Sequence, residues 1–191
     1  MLAEGLQGGF IDAPRDAARA FRSVMTVMAR PGRIDVLKGA VPLAPLSRAA
    51  AVLVLTLCDG ETPLYLAGAS DTKLVRDWVR FHVAAPLVGP TEAVFAVGDW
   101  AALMPVSPYK IGTPDYPDRS TTLIVECEKL VVTGAVLTGP DIELSSQLGL
   151  PDLTVLQQNA ALFPLGLDFF FTSGAQMAAL PRTTKVTNLC M

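Results

Sequence analysis

The chain has 191 residues, of which 51% are hydrophobic and only 17% charged, with a net charge of −3. That length is enough for one domain, spanning 1–191, that buries roughly 70% of its unfolded surface, and the charge excludes a basic field able to attract nucleic acid. No uncharged apolar run reaches the roughly 18 residues of a membrane-spanning helix; the longest, Ala49 to Cys58, is cut off by Asp59.

A chain this apolar and this weakly charged reads as a subunit that buries part of its surface against partners, so exposed apolar patches are expected. Met1 to Gly9 lacks a basic stretch followed by an apolar core, which argues against a secretory signal. Cys58, Cys127 and Cys190 are odd in number and widely spaced, as suits reduced thiols in a cytoplasm.

In chain order, Asp12 is placed to cap a helix running to about Ala29, with Pro14 in its first turn. Ala17, Phe21, Val24, Met25 and Met28 recur at helical spacing and are expected to face the core. Pro31-Gly32 ends that helix, and Ile34 to Leu37 reads as a short strand. Ser47 caps a second helix, Arg48 to Leu57, apolar almost all round and therefore buried. Leu64 to Leu66 reads as a strand. Asp71 is expected to cap a helix through His82 that turns Leu74, Val75, Trp78 and Val79 inward. Ala93 to Val97 is a short strand, Trp100 to Leu103 one helical turn, and Pro105 to Ser120 an ordered functional loop rich in Pro. Leu123 to Val125, Leu130 to Val132 and Val136-Leu137 are strand-like; a helix follows from Leu153 to Leu162, then a Phe-rich strand from Leu167 to Thr172. Helices alternating with short apolar strands predict an α/β domain with a mixed sheet.

Familiar catalytic signatures are missing. The single His, His82, lies near a helix end, no Cys/His cluster has metal spacing, and the Gly134 to Gly139 spacing is followed by Pro140 rather than the Lys of a phosphate-binding loop. No G-x-G-x-x-G follows a strand. Lys73, Lys110 and Lys185 lack the setting of a Schiff-base lysine. No catalytic residue, metal or cofactor is therefore assigned. What stands out is a series of turns that pair Pro or Gly with a charge or hydroxyl. Asp59 and Glu61 form a carboxylate pair read as a capped turn. Asp168 enters the Phe-rich strand, either paired with an Arg or exposed at the strand end. Arg182, with Thr183 and Thr184, either binds a phosphate or phosphonate oxygen or pairs with Asp168 or Asp59.

Taken in order, these motifs resemble the H subunit of the carbon–phosphorus lyase core complex of bacterial phosphonate catabolism. The likeness runs through Phe10, Phe21-Arg22 with Met25, Met28 to Gly32, Leu55 to Leu57 with Asp59, Thr62 and Pro63, and Trp78. It continues through Gly112, Tyr116-Pro117, Ser120, Leu123, Leu137, Gly139-Pro140, Ile142, Asn159, Phe163-Pro164, Gly166, Asp168 and Leu180 to Thr184. Two positions depart from the pattern: Asp141 stands where Gly is preferred, and Thr121 where Ala is.

The resemblance implies a three-layer α/β/α sandwich with a mixed sheet, similar in topology to pyridoxal phosphate-dependent transferases but without the cofactor site. It implies a cytoplasmic, non-catalytic but required subunit, homodimeric when isolated and assembled in cells with the G, I and J subunits. The reaction it would support displaces adenine from ATP with an alkylphosphonate, giving ribose 1-phosphonate 5-triphosphate. Arg22, Arg30, Asp59, Tyr116, Asp168, Arg182, Thr183 and Thr184 are the candidates for ordering an interface or an adjoining anion pocket. The alternative is an independent phosphate- or nucleotide-binding protein or enzyme that uses Arg182-Thr183-Thr184.

Overall fold

The computed structural model describes residues 7–41 and 44–188; Cys190 lies outside them. Among the described residues no helix is long and apolar enough to cross a membrane, and Cys58 and Cys127 are free thiols.

A mixed six-stranded sheet organises the chain. Its strands, in chain order, are β1 (Asp35–Val36), β2 (Leu64–Leu66), β3 (Phe95–Asp99), β4 (Thr122–Glu126), β7 (Asp168–Ser173) and β8 (Gln176–Leu180), and its spatial order is β1-β8-β7-β4-β3-β2. The four strands β2, β3, β4 and β7 run parallel, and β8 lies antiparallel between β7 and the edge strand β1. Beside it stands a small antiparallel sheet of β5 (Ala135–Thr138), β6 (Ser146–Leu148) and β9 (Lys185–Thr187), with β5 in the middle. The helices are α1 (Ala13–Ala29), α2 (Arg48–Leu57), α3 (Lys73–His82), α4 (Trp100–Leu103) and α5 (Leu153–Ala160).

Alternation along the strands divides the core in two, because successive side chains of a strand point to opposite faces. Leu64, Leu66, Val97, Ile124, Phe170 and Met177 face the cluster formed with α1, α2 and α3. Ala96, Leu123, Val125, Phe169, Phe171 and Leu180 face a second cluster with the small sheet, α4 and α5. On that second face the rings of Phe169 and Phe171 stack 6.1 Å apart at 6°. Burial on both faces explains why these strands read as continuous apolar runs rather than alternating ones.

Several sequence expectations are met in detail. Ser47 caps α2 by accepting from the Ala50 amide, and Ala49 to Val54 are fully buried. The helical turn expected at Trp100 to Leu103 and the helix expected from Leu153 both form, capped by Asp99 and Asp152, which the sequence reading did not single out. Between Pro105 and Ser120 the loop is ordered by paired bonds between Thr113 and Tyr116 and by an antiparallel bridge from Ile111 to Ser120.

Others are corrected. The third helix is capped by Thr72, whose hydroxyl accepts from the Val75 amide; Asp71 instead pairs with Arg76. The strand expected at Leu130 to Val132 is absent: Val131 makes one bond, accepting from the Gly149 amide at 2.8 Å, and Val131 and Val132 are exposed. The apolar run there is closed by Gly134 at φ +134° before a ladder can form. In α1 the buried stripe is Ala20, Val24 and Val27, so Phe21 and Met25 point outward at 49% and 53% exposure. The narrow stripe of smaller residues lets α1 approach α2 and β8 closely, and the bulky pair one step round the helix is excluded. Asp12 holds the position before α1, but its side chain accepts no capping bond; its amide donates to Asp16 Oδ2.

Candidate functional site

The Tyr116 to Ser120, Phe163 to Asp168 and Pro181 to Thr184 motifs converge at the end of the sheet where the parallel strands begin. Asn159, at the close of α5, sets the geometry: its side-chain amide donates to the Leu167 carbonyl at 2.9 Å and accepts from the Leu167 amide at 2.7 Å. Gly166, at φ +121°, passes so close that a Cβ would lie 3.1 Å from Asn159 Oδ1, and its amide donates to the Ile111 carbonyl. Glycine is required there by both conformation and space. Asp168 thus enters β7 in a fixed position, level with Thr122 at the start of β4.

Antiparallel pairing of Phe169 with Leu180 brings Arg182 alongside. The Arg182 amide donates to Asp168 Oδ1 at 2.8 Å, its Nε to the same oxygen at 3.2 Å, and one terminal nitrogen to Asp168 Oδ2 at 2.5 Å. The other terminal nitrogen donates to the Pro117 carbonyl at 2.5 Å, and the first also reaches the Ser120 hydroxyl. Both side chains are largely buried, at 12% and 17% exposure. A planar fork matched to a carboxylate gives strong charge-assisted bonds, and here it also ties the C-terminal turn to the Tyr116-Pro117 loop. Gly112, at φ +84°, completes that loop, since a Cβ would lie 2.6 Å from the Pro117 carbonyl.

Of the residues singled out in the sequence, Asp168, Arg182 and Ser120 form one cluster, with Tyr116 on the adjoining loop under the Arg119 guanidinium, 4.0 Å from the ring centre. Thr184 is buried, its amide closing a turn onto the Pro181 carbonyl, while its hydroxyl has no partner among the described residues. Gly139 packs against the backbone of Thr183. Arg30 lies elsewhere: it reaches Asp141 at 3.9 Å, with both groups exposed. Next to it, Gly32 at φ +91° lies against β6, where a Cβ would sit 1.9 Å from Ser146 Oγ. Asp141 itself keeps the left-handed conformation, φ +59°, that glycine would favour, as Asp tolerates better than most residues.

Asp59 is remote from all of these. It accepts from Thr62 Oγ1 at 2.7 Å and from the Glu61 amide at 2.9 Å, and the Thr62 hydroxyl foremost holds its carboxyl below the usual range. Arg22 stands exposed on α1 with no carboxylate within 4.0 Å among the described residues.

Two features escaped the sequence reading. A cavity of about 590 Å³ opens beside the cluster, lined by Val94, Lys110, Ile111, Arg119 and Ser120 among others; its walls come from distant segments, so no local signal announces it. At the opposite end of the sheet, Glu126 accepts from the Ser47 amide at 2.7 Å and from Thr172 Oγ1 at 2.8 Å. That end is where open α/β sheets usually bind ligands, yet its carboxylates Asp99 and Glu126 are engaged in capping and loop anchoring. Among the described residues no three His, Cys, Asp or Glu side chains gather as a metal site would need.

The family described as bacterial phosphonate metabolism protein (PhnH) matches residues 8–187. The chain belongs to this family. A Rhizobium meliloti (strain 1021) protein named alpha-D-ribose 1-methylphosphonate 5-triphosphate synthase subunit PhnH is 39% identical over 190 residues, covering 94% of each chain. A Stutzerimonas stutzeri protein named "Putative C-P lyase subunit protein HtxG" is 31% identical over 185 residues, 91% of this chain and 87% of its own. The motif residues clustered above fall within the matched span.

Proposed function

We propose that the chain is a required, non-catalytic subunit of a carbon–phosphorus lyase complex, supporting displacement of adenine from ATP by an alkylphosphonate to give ribose 1-phosphonate 5-triphosphate. Both curated relatives carry subunit names from phosphonate metabolism. In this reading its partners are the G, I and J subunits, it works in the cytoplasm as one domain over 1–191, and it is a homodimer when isolated. In this reading the fold is a three-layer α/β/α sandwich similar in topology to pyridoxal phosphate-dependent transferases but without their cofactor site, and the packing of α1, α2 and α3 on one face of the mixed sheet supports it.

The observation that carries the non-catalytic part is the engagement of Arg182. Four of the five guanidinium donors are spent on Asp168, Pro117 and Ser120. An independent phosphate- or nucleotide-binding protein built on Arg182-Thr183-Thr184 would need that fork free to meet an anion, and Thr184 is buried behind it. The motif residues then act as internal braces that hold loops in a shape a partner reads, with Tyr116 and Arg119 on the outer surface.

Co-expression of tagged chain with the G, I and J subunits, followed by purification and mass measurement, tests this. A stoichiometric complex supports the proposal; recovery of the tagged chain alone, with the other three assembled and active without it, overturns it.

A further inference from the structure

Resting on the subunit reading, we propose that the cavity between the start of β3 and the Pro-rich loop holds an organic phosphonate, its head on Lys110 and Arg119 and its carbon chain on Ala93, Val94 and Ile111. At about 590 Å³ the cavity lies in the range of small-molecule pockets, with room for a substituent well beyond methyl. Most of the surface it offers is apolar, and its charged groups, Lys110, Asp118 and Arg119, all come from the Pro-rich loop.

The walls are fixed by the chain itself. An antiparallel bridge joins Ile111 to Ser120. The Thr121 amide donates to the Lys110 carbonyl at 2.8 Å, and Thr121 Oγ1 donates to the Ala93 carbonyl at 2.8 Å. Ser120, part of the lining, is held by Arg182. A pocket ordered in advance spends little of its binding energy on ordering.

Its two cations are unspent, in contrast to Arg182. Lys110 Nζ donates to the Glu92 carbonyl at 3.1 Å and keeps its other donors, while the Arg119 guanidinium lies 4.0 Å over the Tyr116 ring. Neither has a carboxylate within 4.0 Å among the described residues, and Asp118 pairs with neither. Two cations therefore stand against one carboxylate at the cavity. A phosphonate head offers charged oxygens to such donors, and its carbon-bound substituent takes no hydrogen bond and is favoured on apolar surface. Inorganic phosphate, all anion, would leave the apolar floor in contact with water.

Titration calorimetry on the full-length chain compares inorganic phosphate, methylphosphonate and butylphosphonate. Each methylene laid on the floor should tighten binding by about threefold, so butylphosphonate should bind at least about tenfold more tightly than methylphosphonate, with phosphate the weakest. Lys110→Gln and Arg119→Gln should each weaken butylphosphonate by about tenfold; Asp118→Asn should tighten it, and Val94→Thr should shrink the preference for the longer chain. Melting temperature and co-purification with the G, I and J subunits should match wild type throughout, and Arg80→Gln, exposed on α3, should change nothing. Absence of binding by the folded chain, equal affinity for the three anions, or affinity indifferent to Lys110→Gln and Arg119→Gln would each overturn the site. If wild type still assembles, those results leave the subunit reading standing. A chain that binds butylphosphonate in this pattern but assembles with nothing keeps the site and removes the subunit reading.

Discussion

Replacing Arg182 with Ala should be costly to the fold, and by an amount the geometry sets. The side chain is 12% exposed, its partner Asp168 17% exposed, and neither can recover full hydration when the other is removed. Breaking a buried ion pair from one side costs about 3–5 kcal/mol, because the remaining charge is left uncompensated. In a chain of this size 1 kcal/mol moves the melting temperature by about 2–4 °C, so Arg182→Ala should lower it by roughly 6–20 °C. Asp168→Asn keeps an acceptor for the Arg182 amide and Nε but loses the charge, and should cost less, about 1–2 kcal/mol. The double variant Asp168→Ala/Arg182→Ala should cost well under the sum of its singles, since residues in one network couple by about 0.5–3 kcal/mol. Calorimetry or urea titration of the wild type, these three variants and the Asp168→Ala single reads all of this. A shift below 2 °C for Arg182→Ala, joined to loss of ATP or phosphonate binding by the isolated chain, would refute the bracing role and make Arg182 a ligand residue.

Other consequences can be checked alongside. Gly32→Ala puts a Cβ into Ser146 at a positive φ and should destabilise by about 2–3 kcal/mol in urea titration. Asn159→Ala leaves the amide and carbonyl of Leu167 without their partners and should cost a similar 2–3 kcal/mol. Burial foremost, with Asp59 adding to it, pushes the Cys58 thiol from its ordinary 9.0 up to about 12. Folding stability from this group is full below pH 9 and is lost as pH rises toward 12, by up to about 1.4 kcal/mol per pH unit. Alkylation of Cys58 at pH 8 should accordingly be far slower in the folded chain than in urea, and Cys58→Ala should flatten the alkaline arm of the stability curve.

Much of this arrangement was legible before any coordinates. The Ser47 cap and the Phe-rich strand carry strong local signals: a hydroxyl before an apolar run, and an unbroken stretch of Phe. The pairing of Asp168 with Arg182 was one of several options the residues left open, beside Asp59 or an anion as the partner of Arg182, and only the β7–β8 register decides among them. That hairpin was itself hard to read, because β8 is Gln-Met-Ala-Ala-Leu, with no β-branched residue to mark a strand. Phe21 and Met25 show the opposite failure. Helical spacing makes them look like core, but periodicity cannot tell an inward stripe from an outward one when two apolar stripes run side by side on one helix. The cavity beside Ser120 draws its walls from segments distant in sequence, and no local pattern encodes it.

The central claim, that this chain is needed by a phosphonate-processing assembly without performing its chemistry, is tested most directly by following adenine release from ATP in the presence of an alkylphosphonate. The G, I and J subunits would be assayed with and without separately purified chain. The account predicts that release is lost when the chain is omitted, returns when it is added back, and is undetectable with the chain alone. Undiminished release in its absence, or release by the chain on its own, would contradict it.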